Sequence, residues 1–273
     1  MKLGISYNIF DGEELLEGSI RQIIDHVDYI SVVYQIISNH GNPCSKSLID
    51  TLYFLKKENL VNTIICYNPL KCEPMVNEIN KRNIGLELSK KYKCTYHLNI
   101  DCDEYYISKE FAQAKKIVAN NNYDSTACKM INYFKSWEYQ IDYNIDCNVP
   151  FIHKTNGKYE FGINPLYADP TRQINITSNI YHFTRDVIQM HHGSYIRNNI
   201  RRKIENSSAK DKVSVNIDKL INSHNNVEKY GKNLSALIPG VLFGDLSNQN
   251  NIYKLNKVKP LFKTPHSCLK LGE

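Results

Sequence analysis

The chain is 273 residues long and 42% hydrophobic, with 34 Lys and Arg set against 28 Asp and Glu for a formal charge of +6. That length supports an ordinary core in one large domain or two small ones, and with no apolar run near the roughly 18 residues that a bilayer crossing needs, a membrane span is excluded. The mild, partly clustered basic excess fits an anionic ligand better than a long nucleic-acid track, and no nucleic-acid partner is expected.

The opening MKLGISYNIFDGEE has a short apolar stretch that meets acidic residues at once and offers no cleavage site, so no secretion signal is expected. The expected compartment is the cytoplasm, with room for peripheral association at a membrane face. Leu3 to Tyr7 predicts a strand. Glu13 to Val27 then aligns Leu16, Ile20, Ile23, Ile24 and Val27 on one helical face. Tyr29 to Ile37 is rich in β-branched and aromatic residues and predicts a buried strand. A helix with Leu48, Leu52 and Leu55 inward follows, then a strand over Val61 to Tyr67, a helix over Met75 to Tyr92 and a strand over Tyr96 to Ile100. This alternation predicts an α/β fold, a doubly wound Rossmann-like sheet with helices on both faces, whose ligands sit outside the carboxyl ends of the strands. A helix is expected over Ser108 to Asn120, then short strands, some antiparallel, with long loops to about Ile180. Another helix is expected over Ser194 to Ala209, capped by Ser194, and leads into a polar, Asn-rich C-terminal stretch. The eight cysteines form no CxxC pair, which points to free thiols rather than a zinc or redox site.

Four clusters carry chemistry. His97-Leu98-Asn99-Ile100-Asp101-Cys102-Asp103-Glu104 ends an apolar strand in two carboxylates two residues apart, which an extended backbone sends to one side. Crowded hard oxygens of this kind suit Mg2+ or Mn2+ completed by a substrate phosphate. Lys81, Arg82 and Asn83, on the helix leading into that strand, could reach a phosphate or sugar hydroxyl. In QMHHGSYIRNNIRRKIENSS, a histidine could serve a metal, and Arg197 and Arg201, sharing a helical face, could serve a pyrophosphate. Adjacent His191 and His192 cannot easily share one metal, so at most one is expected to ligate. In the loop Tyr167-Ala168-Asp169-Pro170-Thr171-Arg172, Asp169 is a candidate catalytic carboxylate and Arg172 its partner; Glu138 and Asp142 are alternatives.

On the segments GISYNIFDGEELLEGSI, VDYISVVYQIISNHGN, KRNIGLELSKKYKCTYHLNIDCDEYY, VPFIHK, ADPTR and HHGSYIRNNIRRKIENSS, the chain resembles the family 2-like glycosyltransferases of the GT-A fold, in the bacterial and large-virus branch with a D-x-D-E strand end. The resemblance implies transfer of a sugar from a nucleotide-sugar donor, a UDP-sugar ahead of a GDP-sugar, to a glycan or glycolipid hydroxyl, with inversion, and a Mn2+ or Mg2+ bridging to the diphosphate. It implies that Asp103 ligates the metal, that Asp101 contacts the ribose or the metal through water, and that His192 completes the metal site. Ser6 and Tyr7, ending the first strand, match the border of the nucleoside, and Arg82 the donor-side helix. An acidic residue usual after the second strand is replaced by Tyr34-Gln35 and Ser38-Asn39. The corresponding organisation is a domain over 1–210, with a nucleotide-sugar half to about 105 and an acceptor half to about 210, and an extension over 211–273 packed on it as a helical elaboration. Two rival readings are a sugar-1-phosphate nucleotidyltransferase, against which the acidic segment after the first strand counts, and a carbohydrate-binding relative without turnover.

Overall fold

Four parallel strands form one half of the sheet. In the computed structural model, which describes residues 1–142, 147–162, 169–208, 217–227, 235–237 and 252–265, these are β1 (Leu3–Ile9), β2 (Tyr29–Tyr34), β3 (Thr63–Cys66) and β4 (Tyr96–Asp101), in the order β3-β2-β1-β4. The order reverses between β1 and β4, and in a doubly wound sheet the reversal opens a crevice at the carboxyl ends. α1 (Glu13–Ile23) buries Leu15, Leu16, Ile20 and Ile23. α2 (Lys46–Lys57) starts where Ser45 Oγ accepts the Leu48 N–H and buries Leu48, Leu52 and Leu55. α3 (Pro74–Lys91) differs, because its inward side is polar: Asn77, Lys81, Arg82 and Ser89 are buried beside Gly85 and Leu86.

The pleat separates the two faces of the sheet. Ser6 lies under Gly85 of α3, where a side chain would collide with its hydroxyl. On the opposite face the Tyr7 hydroxyl meets Ser19 Oγ of α1 at 3.0 Å. Helices therefore cover both faces. Because β1 continues to Ile9, Ser6 and Tyr7 do not end the first strand as expected; both are fully buried. Asn8, two residues past Ser6 on the same face, stands at the strand's end opposite Asp101.

β4 leads through β5 (Glu104–Tyr105) and α4 (Ser108–Asn121) into a second half: β6 (Ser125–Phe134), β7 (Ser136–Asp142), β8 (Asn148–Lys154), β9 (Tyr159–Glu160), β10 (Gln173–Ile174), β11 (Ile180–His182) and β12 (Gln189–Tyr195). β8 runs antiparallel to both β4 and β6, so the sheet is mixed. β12 lies parallel to β6 and antiparallel to β5, with His192 opposite Glu104. The helix expected from Ser194 is shorter: residues to Tyr195 belong to β12, and α5 covers only Ile200–Glu205, capped by Asn199. Arg197 and Arg201 consequently do not share a helical face. Ile196 packs with Leu15, Tyr105 and Trp137, while Ile200 packs with Phe134 and Leu220.

The C-terminal part supplies α6 (Ile217–Asn226) but also strands, β13 (Ser235–Leu237) and β14 (Ile252–Lys257), which extend the sheet beyond β7. Cys94, Cys102, Cys128 and Cys147 are buried free thiols, whereas Cys66 and Cys72 are exposed. Cys268, Tyr167, Ala168 and the expected helix end at Ala209 lie outside the described residues. Among the described residues no helix is long and apolar enough to cross a membrane.

Candidate functional site

Two charged networks meet at the reversal point. The first lies between β4, α3 and the turn Pro170–Arg172. Arg172 donates to Asp101 Oδ2 at 2.6 Å, to the two Glu104 oxygens at 2.5 and 2.8 Å, and to Asp169 Oδ2 at 3.2 Å. Arg82 reaches Asp169 Oδ2 at 3.0 Å, Asp101 Oδ1 at 3.3 Å and Thr171 Oγ1 at 3.2 Å, and it also bonds Asn99. Burial would raise the Asp101 carboxyl, but Arg172 and then Arg82 outweigh it and hold the group below the usual carboxylate range. Glu104 is more deeply enclosed. Burial, reinforced by the Asp101 charge against the pull of Arg172, pushes it up to about 7.

Asp103 anchors the second network. The chain turns at Cys102-Asp103 as soon as β4 ends, so the period-two argument that put Asp101 and Asp103 on one side does not apply across the turn. Asp103 Oδ2 accepts from Arg197 at 2.5 Å, and Lys203 Nζ of α5 lies 3.9 Å away. Gly12, at φ 92, leaves room for the Arg197 guanidinium where a side chain would collide. Burial opposes ionisation of Asp103, yet Arg197, His192 and Lys203 keep its carboxyl below the ordinary value.

His192 faces Asp103 in a way that bears on metal binding. Its Nδ1 donates to Asn132 Oδ1 at 2.7 Å, which leaves Nε2 as an acceptor 3.7 Å from Asp103 Oδ1. Burial lowers the imidazole's pKa despite the nearby Asp103 charge, so at neutral pH two acceptors face each other. Carboxylate and imidazole in this relation fit a divalent cation that draws its other ligands from water or substrate oxygens. Asp101 is not brought into this pair, since Arg82 and Arg172 hold its oxygens. Among the described residues no group of three His, Cys, Asp or Glu side chains converges on a metal position. His191 is turned away, its Nδ1 meeting the Tyr133 hydroxyl at 2.9 Å.

The mouth of the crevice contains polar atoms without partners. Both amide atoms of Asn8, the Ser6 hydroxyl and Asp11 Oδ2 are buried and unpaired. Orphans are uncommon in a folded chain and mark places where water or a ligand belongs. α5 and its end cross this region: Arg202 donates to the Pro43 carbonyl at 2.8 Å, Asn42 to Asn206 at 2.9 Å, and His40 Nε2 meets the Ser207 carbonyl at 2.9 Å. On the other side of the crevice Lys81, buried, donates to Gln35 Oε1 at 2.5 Å and Glu78 Oε1 at 2.9 Å.

Of the residues selected from sequence, Arg82, Asp101 and Asp169 belong to the first network, and Asp103, His192 and Arg197 to the second. Arg201 is outside both, paired with exposed Asp218 at 2.6 Å. Glu138 and Asp142 lie on β7, separated from β4 by β6 and β8. Asn8, Asn132 and Lys203 were not selected, while Lys81, which was, is buried against Gln35. Asn8 alone had a legible signal, standing two residues beyond Ser6 on the same face.

No family model and no curated relative matches the chain by sequence. It is similar to solved structures, among them S. aureus TarS, at 12% identity and a TM-score of 0.42, covering 71% of this chain and 37% of TarS. A TarS fragment, residues 1–349, in complex with UDP-GlcNAc gives 14% identity and a TM-score of 0.42 over 71% of this chain and 58% of the fragment. The mannosyltransferase PcManGT from Pyrobaculum calidifontis, in complex with GDP-Man and Mn2+, gives 11% and 0.34 over 46% and 35%. The chain thus spans little more than a third of that TarS chain.

Proposed function

We propose that the protein is a metal-dependent glycosyltransferase that moves a sugar from a nucleotide-sugar donor, a UDP-sugar in the first instance, to a hydroxyl of a glycan or glycoconjugate acceptor with inversion. The observation that carries this reading is the pair of facing acceptors, Asp103 Oδ1 and His192 Nε2, 3.7 Å apart within reach of Arg197 and Lys203 at the sheet's reversal point. Asp103 and His192 would hold Mn2+ or Mg2+. When bound, such an ion neutralises charge on a departing diphosphate.

The chain's own residues have separate tasks in this reading. Arg197 keeps Asp103 ionised and fixes its direction, and Lys203 supplies a mobile cation for diphosphate oxygens. Arg201, which we also expected on the diphosphate, would have to leave Asp218 to reach it. Asp101, held by Arg82 and Arg172, presents its carboxylate edge to the donor ribose, and the unpaired Asn8 amide offers one donor and one acceptor to the nucleoside. Ser6 and Tyr7 support that border from behind. Inversion also needs a proton acceptor for the incoming hydroxyl. Asp169 can serve only if Arg82 or Arg172 releases its Oδ2.

Hydrolysis of UDP-sugars with and without Mn2+, compared between wild type and Asp103→Asn, tests the reading. Metal-stimulated cleavage should vanish in the variant, assayed at temperatures where it remains folded, since a fall in Tm is expected when the carboxylate paired with buried Arg197 is neutralised. Equal turnover of the two proteins at saturating Mn2+ overturns the assignment.

A further inference from the structure

A cavity of about 530 Å3, bordered by Arg197, lies between the β6–β7 turn, the segment leading into α5, and α6. Its donors include Lys135, Asn198, Asn199, Arg201, Asn225 and Thr264, and among the described residues no carboxylate lines it. We propose that this cavity binds a phosphate-type oxyanion, either a phosphate group carried by the acceptor or free inorganic phosphate. The inference goes beyond the glycosyltransferase reading, and only its acceptor arm rests on that reading.

Lys135 is the central group. It occupies the turn between β6 and β7 at φ 68, a conformation that glycine adopts more readily, and its backbone N–H is tied to the Tyr195 carbonyl at 3.2 Å. Lys135 thus lines the cavity from a turn whose backbone is anchored. His224 on the opposite wall adds no charge of either sign: it is buried, its Nε2 meets the Tyr195 carbonyl at 3.0 Å, and burial together with Lys135 holds its pKa down to about 4. Asn199 Oδ1 is committed to the Arg202 N–H at 2.9 Å, so its NH2 is the end left for a ligand. Arg201 contributes a second, partly neutralised cation, shared with Asp218 at 2.6 Å and Glu205 at 3.9 Å. Several N–H donors around one unneutralised ammonium suit a compact oxyanion with several acceptor oxygens.

Arg197 joins this cavity to the proposed reaction site. It borders the cavity, and its guanidinium bonds Asp103. An acceptor anchored here by a phosphate would therefore stand one side chain away from the donor.

Calorimetric titration of the full chain with inorganic phosphate and with glycerol phosphate, in excess UDP and Mn2+ to fill any donor site, tests the proposal. Wild type should bind at least one of the two. Lys135→Gln and Lys135→Gly should weaken that binding at least tenfold, and the glycine variant accepts the positive φ, so its folding is not in question. Donor hydrolysis should be unchanged in both variants. Tighter binding of glycerol phosphate than of inorganic phosphate assigns the site to an acceptor group, and the reverse order to the free ion. No binding by wild type, or equal binding by both Lys135 variants, overturns the proposal. Failure of UDP to bind would count against the glycosyltransferase reading while leaving the phosphate titration interpretable.

Discussion

Replacing Arg172 with Met should unfold the site before it alters any chemistry. The side chain is almost wholly buried, and its guanidinium is the shared partner of Asp101, Glu104 and Asp169. Without it three carboxylates remain against the single guanidinium of Arg82. Each lost charged hydrogen bond is worth about 1.5–3 kcal/mol, and these do not add; removing one member of a buried ionic cluster costs about 3–5 kcal/mol in all. Against a total stability of about 5–15 kcal/mol that is a large fraction, corresponding to a fall in Tm on the order of 10 °C for a chain of this size. The pH dependence identifies the cause. In the variant Glu104, already pushed up to about 7 by burial, also loses the guanidinium that opposed that rise, so its folded-state pKa stands further above its unfolded one, and the stability it allows is present at low pH and lost as pH rises toward that value. Urea unfolding followed by the fluorescence of Trp137, the sole tryptophan and fully buried, should therefore show Arg172→Met gaining stability between pH 7.5 and 5.5. Arg172→Lys, which keeps the charge and loses the fork, should fall between. A loss below about 1 kcal/mol, against the expected penalty for a broken buried pair, or a variant with the wild-type pH slope, refutes the reasoning.

The wild type should behave in the opposite sense on acidification. Burial lowers His153 and His191 to about 4 from 6.5, so the unfolded chain takes up their protons first; their contribution is full above pH 6.5 and falls by about 3 kcal/mol per histidine as pH drops toward 4, offset in part by Glu104, whose value of about 7 favours the folded state on acidification by about 3 kcal/mol. A flat stability profile between pH 6.5 and 4.5 would contradict this. Asn8→Leu should separate stability from binding: replacing an unpaired buried amide with an apolar side chain of similar size should stabilise the ligand-free protein by about 1 kcal/mol while UDP affinity, measured by calorimetry, falls at least tenfold. Loss of stability in that variant would show that Asn8 has partners and awaits no ligand.

How far these features are legible in the sequence depends on whether their cause is local. The parallel half is legible because β1, β2 and β4 carry apolar residues at alternate or successive positions, as Leu3, Ile5, Tyr7 and Ile9 or Tyr96, Leu98 and Ile100, and α1 and α2 each carry one apolar stripe. α3 is recognisable as a helix from its length and its Pro at the start, but its inward face of Asn77, Lys81, Arg82 and Ser89 looks solvent-directed until Gln35, Asn99 and His97 are brought against it. The segment after His192 departs from its periodicity for a related reason. Ile196, Ile200 and Ile204 are spaced for a helix, yet β12 is set by pairing with β5 and β6, residues distant in sequence. Tertiary pairing overrode local periodicity, as it often does for short segments. The same distance hid Lys203 and Asn132, which meet Asp103 and His192 only after the second half of the sheet folds back on β4.

Asp169 shows where residue type and geometry part. Its loop position and its carboxylate make it eligible as the base for inversion, but a base needs a lone pair facing the acceptor hydroxyl. Oδ1 already accepts from the Thr171 N–H at 2.8 Å and the Thr171 hydroxyl at 2.7 Å, and Oδ2 accepts from Arg82 at 3.0 Å and Arg172 at 3.2 Å. Four donors fill the four acceptor positions of a carboxylate. Proton abstraction would first require Arg82 or Arg172 to turn toward the donor, at the expense of a buried charge-assisted bond. The arrangement is better suited to holding the Pro170–Arg172 turn against Asp101. Asp169→Asn should accordingly set an amide NH2 against two guanidinium groups or against Thr171, lower stability, and raise the donor KM along with any fall in kcat. The acidic limb of the pH–rate profile should remain, because the titrating base would still be present. A base predicts another pattern: kcat down by roughly 10²–10⁴ with donor affinity little changed and the acidic limb gone. Steady-state kinetics across pH on Asp169→Asn, with Tm measured on the same preparation, distinguish the two, and the second pattern would overturn the positioning role argued here.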